Sequence, residues 1–506
     1  MLARVRWRAA TRVPLSFAQA LHTSARVLRT KHISDELFTD SADEKLVAYP
    51  LVTATDLARS DRPPTEVRLL ARDYIDNALY NPHYGYFAKR AVIFTTGDDA
   101  AKGFDFGNIR NQLKFDGIVA DRYQEFGVDP DSGPGRQIWH TPTELFRPWY
   151  GQAIAQCLVS EYLLKYFPYE DLIIYEVGAG NGTLGTNILD FIRERYPDVY
   201  ERTRYRIIEI SKSLAENQKR SLHHHSCVEV INKSIFEWRQ REWAPCFFLA
   251  LEVVDNFPHD IVRYHAQSGE PFQTMIAIDD GGEYHEVFEP VRDPLLSSYL
   301  SLRSTLRPGT PYSTPWWKLR HKLPFAPNLS KPHFVPTRMY DLLMRLRTHF
   351  PRHRLLLSDF SSLPEAIDGH DAPVVQTRFR NLMVPVTTYL VTPGYFDIFF
   401  PTDFELLRDV YEAVMVRKHH VTDQGRSSPL GSIATSVDGA QYFFFRGRRE
   451  PMDGVVSASG LPIGLRHSGV YSHREFLETY ADLDQTKLMN GDNPMLDLYQ
   501  NVKFLF

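Results

Sequence analysis

The chain has 506 residues, 43% of them hydrophobic, with 58 Lys and Arg against 62 Asp and Glu for a formal charge of −4. That apolar content excludes disorder as the dominant state. The near-neutral balance lacks the strong basic excess of a nucleic-acid-binding domain, and there is no run of about 18 apolar residues to cross a membrane. Cys157, Cys227 and Cys246 supply neither a disulfide framework nor the paired spacing of a structural zinc site, so no metal is expected.

Residues 1–32 carry Arg4, Arg6, Arg8, Arg12, Arg26, Arg29 and Lys31, with no acidic residue before Asp35. Interspersed Leu, Val, Trp and hydroxylated residues make this a mitochondrial transit peptide and imply a matrix location. Residues 33–64 read as a disordered segment or linker. From 65 to 148 a helical and looped region follows. Its first helix spans Glu66 to Leu79 with Thr65 as N-cap, and an irregular insertion covers 91–138.

Residues 149–416 alternate between strand and helix patterns. A helix over 149–166 precedes the apolar run Leu172–Val177, which has the character of a strand buried on both faces. A glycine turn follows, then a helix from Thr183 to Arg195, a strand Tyr205–Ile210, a helix Ser213–Leu222, and strands Val228–Ile231 and Phe247–Leu251. Residues 266–334 read as a proline-rich insertion whose Trp316-Trp317 pair packs on the core. A helix Met339–Phe350, a strand Arg354–Asp359 and a hairpin-like segment Val384–Val391 resume the pattern. Residues 417–506 form a C-terminal helical extension, polar over 418–440, with a capping box at Ser472-His-Arg-Glu475. The alternation predicts an α/β fold with a doubly wound, seven-stranded sheet.

The chemistry concentrates after three of these strands. Glu176-Val-Gly178-Ala-Gly180-Asn-Gly182 joins the first strand to a helix, so the backbone there can approach a ligand closely. Glu209 ends the next strand and suits a ribose diol. Glycines at 178, 180 and 182 do not fit the spacing of a dinucleotide fingerprint. Glu176, two residues before the first glycine, is placed to attract the amino group of S-adenosylmethionine. Ser234, after the third strand, completes the candidate cofactor set. Glu252-Val-Val-Asp255-Asn-Phe-Pro258 follows the next strand and offers two carboxylates at the sheet end where ligands bind. Such a pair suits a guanidinium. Among lesser signals, His223-His-His225 near a helix end reads as solvated, favoured there by the helix dipole.

Several blocks together resemble the MidA-type S-adenosylmethionine-dependent methyltransferases, a family with a mitochondrial arginine methyltransferase that assists respiratory complex I assembly. They are Tyr80–Tyr86, Glu176–Leu184, Ile208–Gln218, Glu252–Pro258, Pro393–Asp397 and Asp403-Phe404. The departures are a Thr-Pro-Thr-Glu144 in shifted order, Leu251 where the family has asparagine, and Asp359-Phe-Ser after the fifth strand. The resemblance implies methyl transfer to arginine on a complex I subunit, with Glu252 and Asp255 catalytic and the cofactor held by Glu176, Gly178, Gly180, Gly182, Glu209 and Ser234. The alternatives are an assembly chaperone that binds the cofactor without turnover, or a methyltransferase with another substrate.

Overall fold

The computed structural model describes residues 41–89, 91–93, 103–126, 137–139, 141–308, 328–379, 382–416 and 468–506. The expected transit segment, the Trp316-Trp317 pair and the polar 418–440 stretch lie outside these residues.

Seven strands form the central sheet: β1 Leu172–Val177, β2 Thr203–Glu209, β3 Val228–Asn232, β4 Cys246–Leu251, β5 His353–Phe360, β6 Val470–Ser472 and β7 Val502–Leu505. Their order is β3-β2-β1-β4-β5-β7-β6. The first five pair in parallel, and β7 runs antiparallel to both β5 and β6. All six residues of β1 are buried. Leu172 and Ile174 join the core under the Trp149–Lys165 and Thr183–Arg195 helices. Ile173, Tyr175 and Val177 join the core on the other face, with the Thr337–His349 and Phe404–Val416 helices. A strand covered on both faces favours apolar residues, hence the run Leu172–Tyr175 and Val177, interrupted only by Glu176. Each such aliphatic side chain contributes about 1.5–3 kcal/mol of burial. The sheet changes winding direction between β1 and β4, and the crevice at their carboxyl ends is where open α/β sheets bind ligands.

The C-terminal segment holds the expected capped helix, His473–Tyr480, with Ser472 and Glu475 bonded reciprocally. It also supplies β6 and β7, which the sequence pattern did not assign. These are strands of three and four residues, and the partner of Leu505 is Leu357. So short a run carries no periodicity of its own.

The helix expected from Glu66 is corrected. Val67–Leu70 is a strand antiparallel to Met275–Ile278, and the helix begins at Ala71 and ends at Tyr80. Backbone pairing with a distant edge overrides the helical spacing there. The 266–334 region is ordered where it is described. Pro271–Ile278, Tyr284–Pro290 and His333–Val335 build a five-stranded sheet with Val67–Leu70 and Asp260–Tyr264, and a helix spans Pro294–Leu306. Two of its prolines fall where proline is tolerated, Pro271 opening a strand and Pro294 in the first turn of the helix. The 91–138 insertion contains a helix, Gln112–Phe126, which its interior Gly117 and weak amphipathicity conceal. A small sheet of Val374–Phe379, Leu382–Val386 and Asp397–Phe399 packs with the Ala71–Tyr80 helix in a third core.

Candidate active site

A cavity of about 1010 Å³ lies between the carboxyl ends of the central sheet and the Ala71–Tyr80 helix with the small sheet. At one end is the loop after β1. Gly178 and Gly180 have φ of +67° and +54°, a region side chains rarely adopt. A Cβ on Gly178 would lie 3.0 Å from the Val253 side chain. Glu176 is buried and accepts a hydrogen bond from the Tyr205 hydroxyl at 2.8 Å. Burial pushes its pKa up to about 7, with Glu209 adding to the rise and the Tyr205 bond opposing it. Glu209 accepts from the Ser211 backbone N–H at 2.8 Å through one oxygen, and from Gln218 Nε2 at 2.9 Å through the other. Each oxygen keeps acceptor capacity. Gln218 Nε2 also donates to the Gly180 carbonyl at 2.8 Å, so one buried amide ties the glycine loop to the acidic strand end. Ser234 lines the same cavity and caps a short turn through Phe236 N–H.

The other end is more acidic and less satisfied. Glu252 lines the cavity in left-handed backbone geometry, φ +55°. A non-glycine residue there costs on the order of 1–2 kcal/mol. Asp359 supplies the compensation: its Oδ2 accepts the backbone N–H groups of Val253, Val254 and Asp255 at 3.2, 2.9 and 3.1 Å, and its Oδ1 that of Phe360. Burial pushes Asp359 up to about 6 against those four bonds. Glu252 is held well above the usual carboxylate range by burial, then by Asp359 and Glu144. Asp255 is raised likewise by burial, Asp359, Asp397 and Glu252. Asp397, on the small sheet, is raised by burial. The lining includes eight acidic residues and a single basic one, Arg338. That guanidinium is already paired with Asp76 at 2.5 Å.

Residues 153–422, more than half of the chain, match the family described as "Putative S-adenosyl-L-methionine-dependent methyltransferase". The chain belongs to this methyltransferase family. It is 25% identical over 324 residues to the protein arginine methyltransferase NDUFAF7 homolog, mitochondrial, of Schizosaccharomyces pombe, and 21% identical over 296 residues to its Saccharomyces cerevisiae counterpart. The matches cover 60% and 53% of this chain and 66% of each relative's length. Among solved structures, a Burkholderia thailandensis protein bound to S-adenosyl-homocysteine is 15% identical, with 80% of this chain and 79% of that one covered and a TM-score of 0.42. As a family member the chain has the α/β fold and groups with S-adenosylmethionine-dependent methyltransferases.

In this methyltransferase the structure brings Glu176, Gly178, Gly180, Glu209, Ser234, Glu252 and Asp255 to one cavity. Gly182 stands apart from it. With φ +80° it opens the Thr183–Arg195 helix, and a Cβ there would lie 3.1 Å from Ser221 Oγ and 3.2 Å from Leu222, so its smallness serves packing of the next helix. Four wall or support residues are not among the site residues expected from the sequence. Glu144 accepts from Thr183 Oγ1 at 2.8 Å and Asn181 Nδ2 at 3.1 Å, bracing the glycine loop; the Thr141 cap three residues earlier was its only local signal. Gln218, Asp359 and Asp397 are the others. Away from the cavity, His224 and His225 approach Asp190, the one group of potential metal-ligand geometry among the described residues. Its Asp190 Oδ1 is engaged by Arg193 at 2.5 Å.

Proposed function

We propose that this enzyme transfers a methyl group from S-adenosylmethionine to an arginine guanidinium of a protein in the mitochondrial matrix. The observation that carries the reading is the acid-rich wall of the cavity, whose single basic residue is already neutralised by Asp76. Such a wall suits a cationic acceptor beside a cationic cofactor. The relatives' names and the basic, acid-free N-terminus support the target class and the location. A complex I subunit is the proposed target, and assembly of that complex the proposed role.

The cavity fits the cofactor. Positive-φ glycines leave the backbone of the first loop open to close approach, and Glu209 is pre-oriented with acceptor capacity left for a diol. Glu176 lies near enough to Glu209 to feel its charge and would attract the amino group. Gly178, Gly180 and Ser234 complete that end, while Gly182 opens the Thr183–Arg195 helix close against Ser221 and Leu222. When bound, the cofactor supplies a methyl group on a positively charged sulfur, which leaves with the bonding pair as the new N–C bond forms. Positioning is then the main contribution of the protein. Glu252 and Asp255 would orient the guanidinium, and one of them would accept the proton that the methylated nitrogen sheds. Their raised proton affinity matches that task.

The test is transfer of labelled methyl from S-adenosylmethionine to mitochondrial protein extract, followed by amino-acid analysis. Label in methylarginine is expected. Label confined to lysine or small molecules would defeat the arginine assignment. Measured cofactor binding without turnover would favour the assembly chaperone instead.

A further inference from the structure

Two carboxylates in the cavity wall each keep one oxygen without a partner. Asp255 is 3% exposed and its Oδ1 is buried and unbonded; Asp397 is 1% exposed and its Oδ2 is likewise buried and unbonded. Buried polar atoms are almost always paired, and an exception calls for an explanation. Here two lie in one cavity, on segments 142 positions apart in the chain.

Neither residue is loosely placed. Asp397 Oδ1 accepts from Asn256 Nδ2 at 3.0 Å, and the same amide donates to the Ile398 carbonyl at 3.1 Å. The Asp255 N–H is held by Asp359, and its carbonyl accepts from Phe400 N–H at 2.8 Å. The Asp255-Asn256 turn and the Asp397–Phe400 segment are thus fastened together, with their free oxygens left over. Among the described residues no ion pair reaches either carboxylate, and Arg338, the one cation of the lining, is occupied by Asp76. Gly394 allows this arrangement. It sits at φ +85°, and a Cβ there would lie 1.8 Å from the Tyr84 carbonyl, so the strand bearing Asp397 can follow a segment pressed against the 80–86 turn.

We propose that Asp255 and Asp397 form a two-carboxylate seat for the guanidinium of the methyl-accepting arginine, with Asp397 binding substrate and Asn256 positioning it. The inference rests on the arginine reading above. A guanidinium is a planar fork of five N–H donors and can serve two acceptors on separate segments at once. An ammonium is a compact charge without that fork. The seat therefore selects arginine over lysine, and Glu252 remains free to face the reacting nitrogen.

Calorimetry on the S-adenosylmethionine-loaded full-length protein tests this, with arginine amide and lysine amide as probes. Wild type is expected to bind arginine amide and to bind lysine amide more weakly. Asp397→Asn should weaken arginine amide about ten- to a hundredfold while changing cofactor affinity less than about twofold, and Asp397→Glu should restore part of the loss. Equal binding by wild type and Asp397→Asn, or no binding of arginine amide by wild type, would overturn the seat. So would a parallel loss of cofactor affinity in Asp397→Asn, which marks a structural role. Wild type that binds arginine amide but forms no methylarginine in the transfer assay leaves the seat standing and defeats the catalytic reading instead.

Discussion

At one end of the cavity Glu176 and Glu209 accept hydrogen bonds from Tyr205, Ser211 and Gln218; at the other Asp255 and Asp397 each keep an oxygen unbonded. The first end is pre-arranged, built from three consecutive strand ends whose donors are already in place. The second is assembled from three distant segments and is crowded with carboxyl groups whose proton affinity burial raises. The difference teaches that the two ends meet different demands. Recognition of an invariant cofactor can be built into the fold. On the proposed reading, holding a cation while a proton leaves calls for acids that the surrounding protein leaves unpaired.

The largest effect should come from breaking the pre-arranged end at its backbone. Gly180→Val puts a β-branched residue at φ +54° in the wall of the cavity, where the cofactor is proposed to bind. No S-adenosylmethionine binding should be detectable by calorimetry in a protein with a native circular dichroism spectrum. Normal binding would move the cofactor elsewhere. Next come Glu252→Gln and Asp255→Asn, which probe the acceptor end. Each should keep cofactor affinity and lose about ten- to a hundredfold in methyl transfer, the equivalent of about 1.5–3 kcal/mol for a charge-assisted contact. If either residue is the base, its loss reaches as much as about 10⁴-fold. Unchanged turnover in both would separate the chemistry from this wall.

A third test uses pH. Burial raises Glu176 to about 7, so its ionised, cation-attracting form is depleted as pH falls through that value. Cofactor affinity should fall by up to about tenfold per unit between pH 7 and 5.5, where the ligand amino group, with a pKa of about 7.7, stays protonated. Glu176→Gln should be weaker at neutral pH and flat across the range; a wild-type profile that is equally flat would remove Glu176 from contact with the ligand. The smallest effect is expected for Gln218→Ala. It deletes two hydrogen bonds that orient Glu209 and the Gly180 carbonyl without touching ligand. A net contribution of about 0.5–1.5 kcal/mol per bond predicts a several-fold to roughly hundredfold weaker dissociation constant, most plainly a value near tenfold. An unchanged constant would show that Glu209 needs no such brace.

The same division governs what was legible. Glu176 through Gly182, Glu209 and the Glu252–Asp255 pair could be picked out because each sits at or directly after the carboxyl end of a strand, and strand, turn and acid are contiguous. Glu144, Asp359 and Asp397 could not be assigned roles. Their partners lie 39, 105 and 141 positions away, at Thr183, Val254 and Asn256. Spacing alone does not distinguish Gly182, whose Cβ position faces the next helix, from the glycines that line the cavity.

By itself the sequence determined the alternation of buried strands and helices, the cofactor class and the acidic character of the site, because these follow from local periodicity and from residues adjacent in the chain. Tertiary structure alone decided that Val67–Leu70 pairs as a strand, that Val470–Ser472 and Val502–Leu505 complete the central sheet, and that Asp397 joins Asp255. Short strands owe their existence to the partner that supplies their hydrogen bonds, and a buried carboxylate owes its proton affinity to whatever encloses it. Neither property is carried by neighbours in the chain.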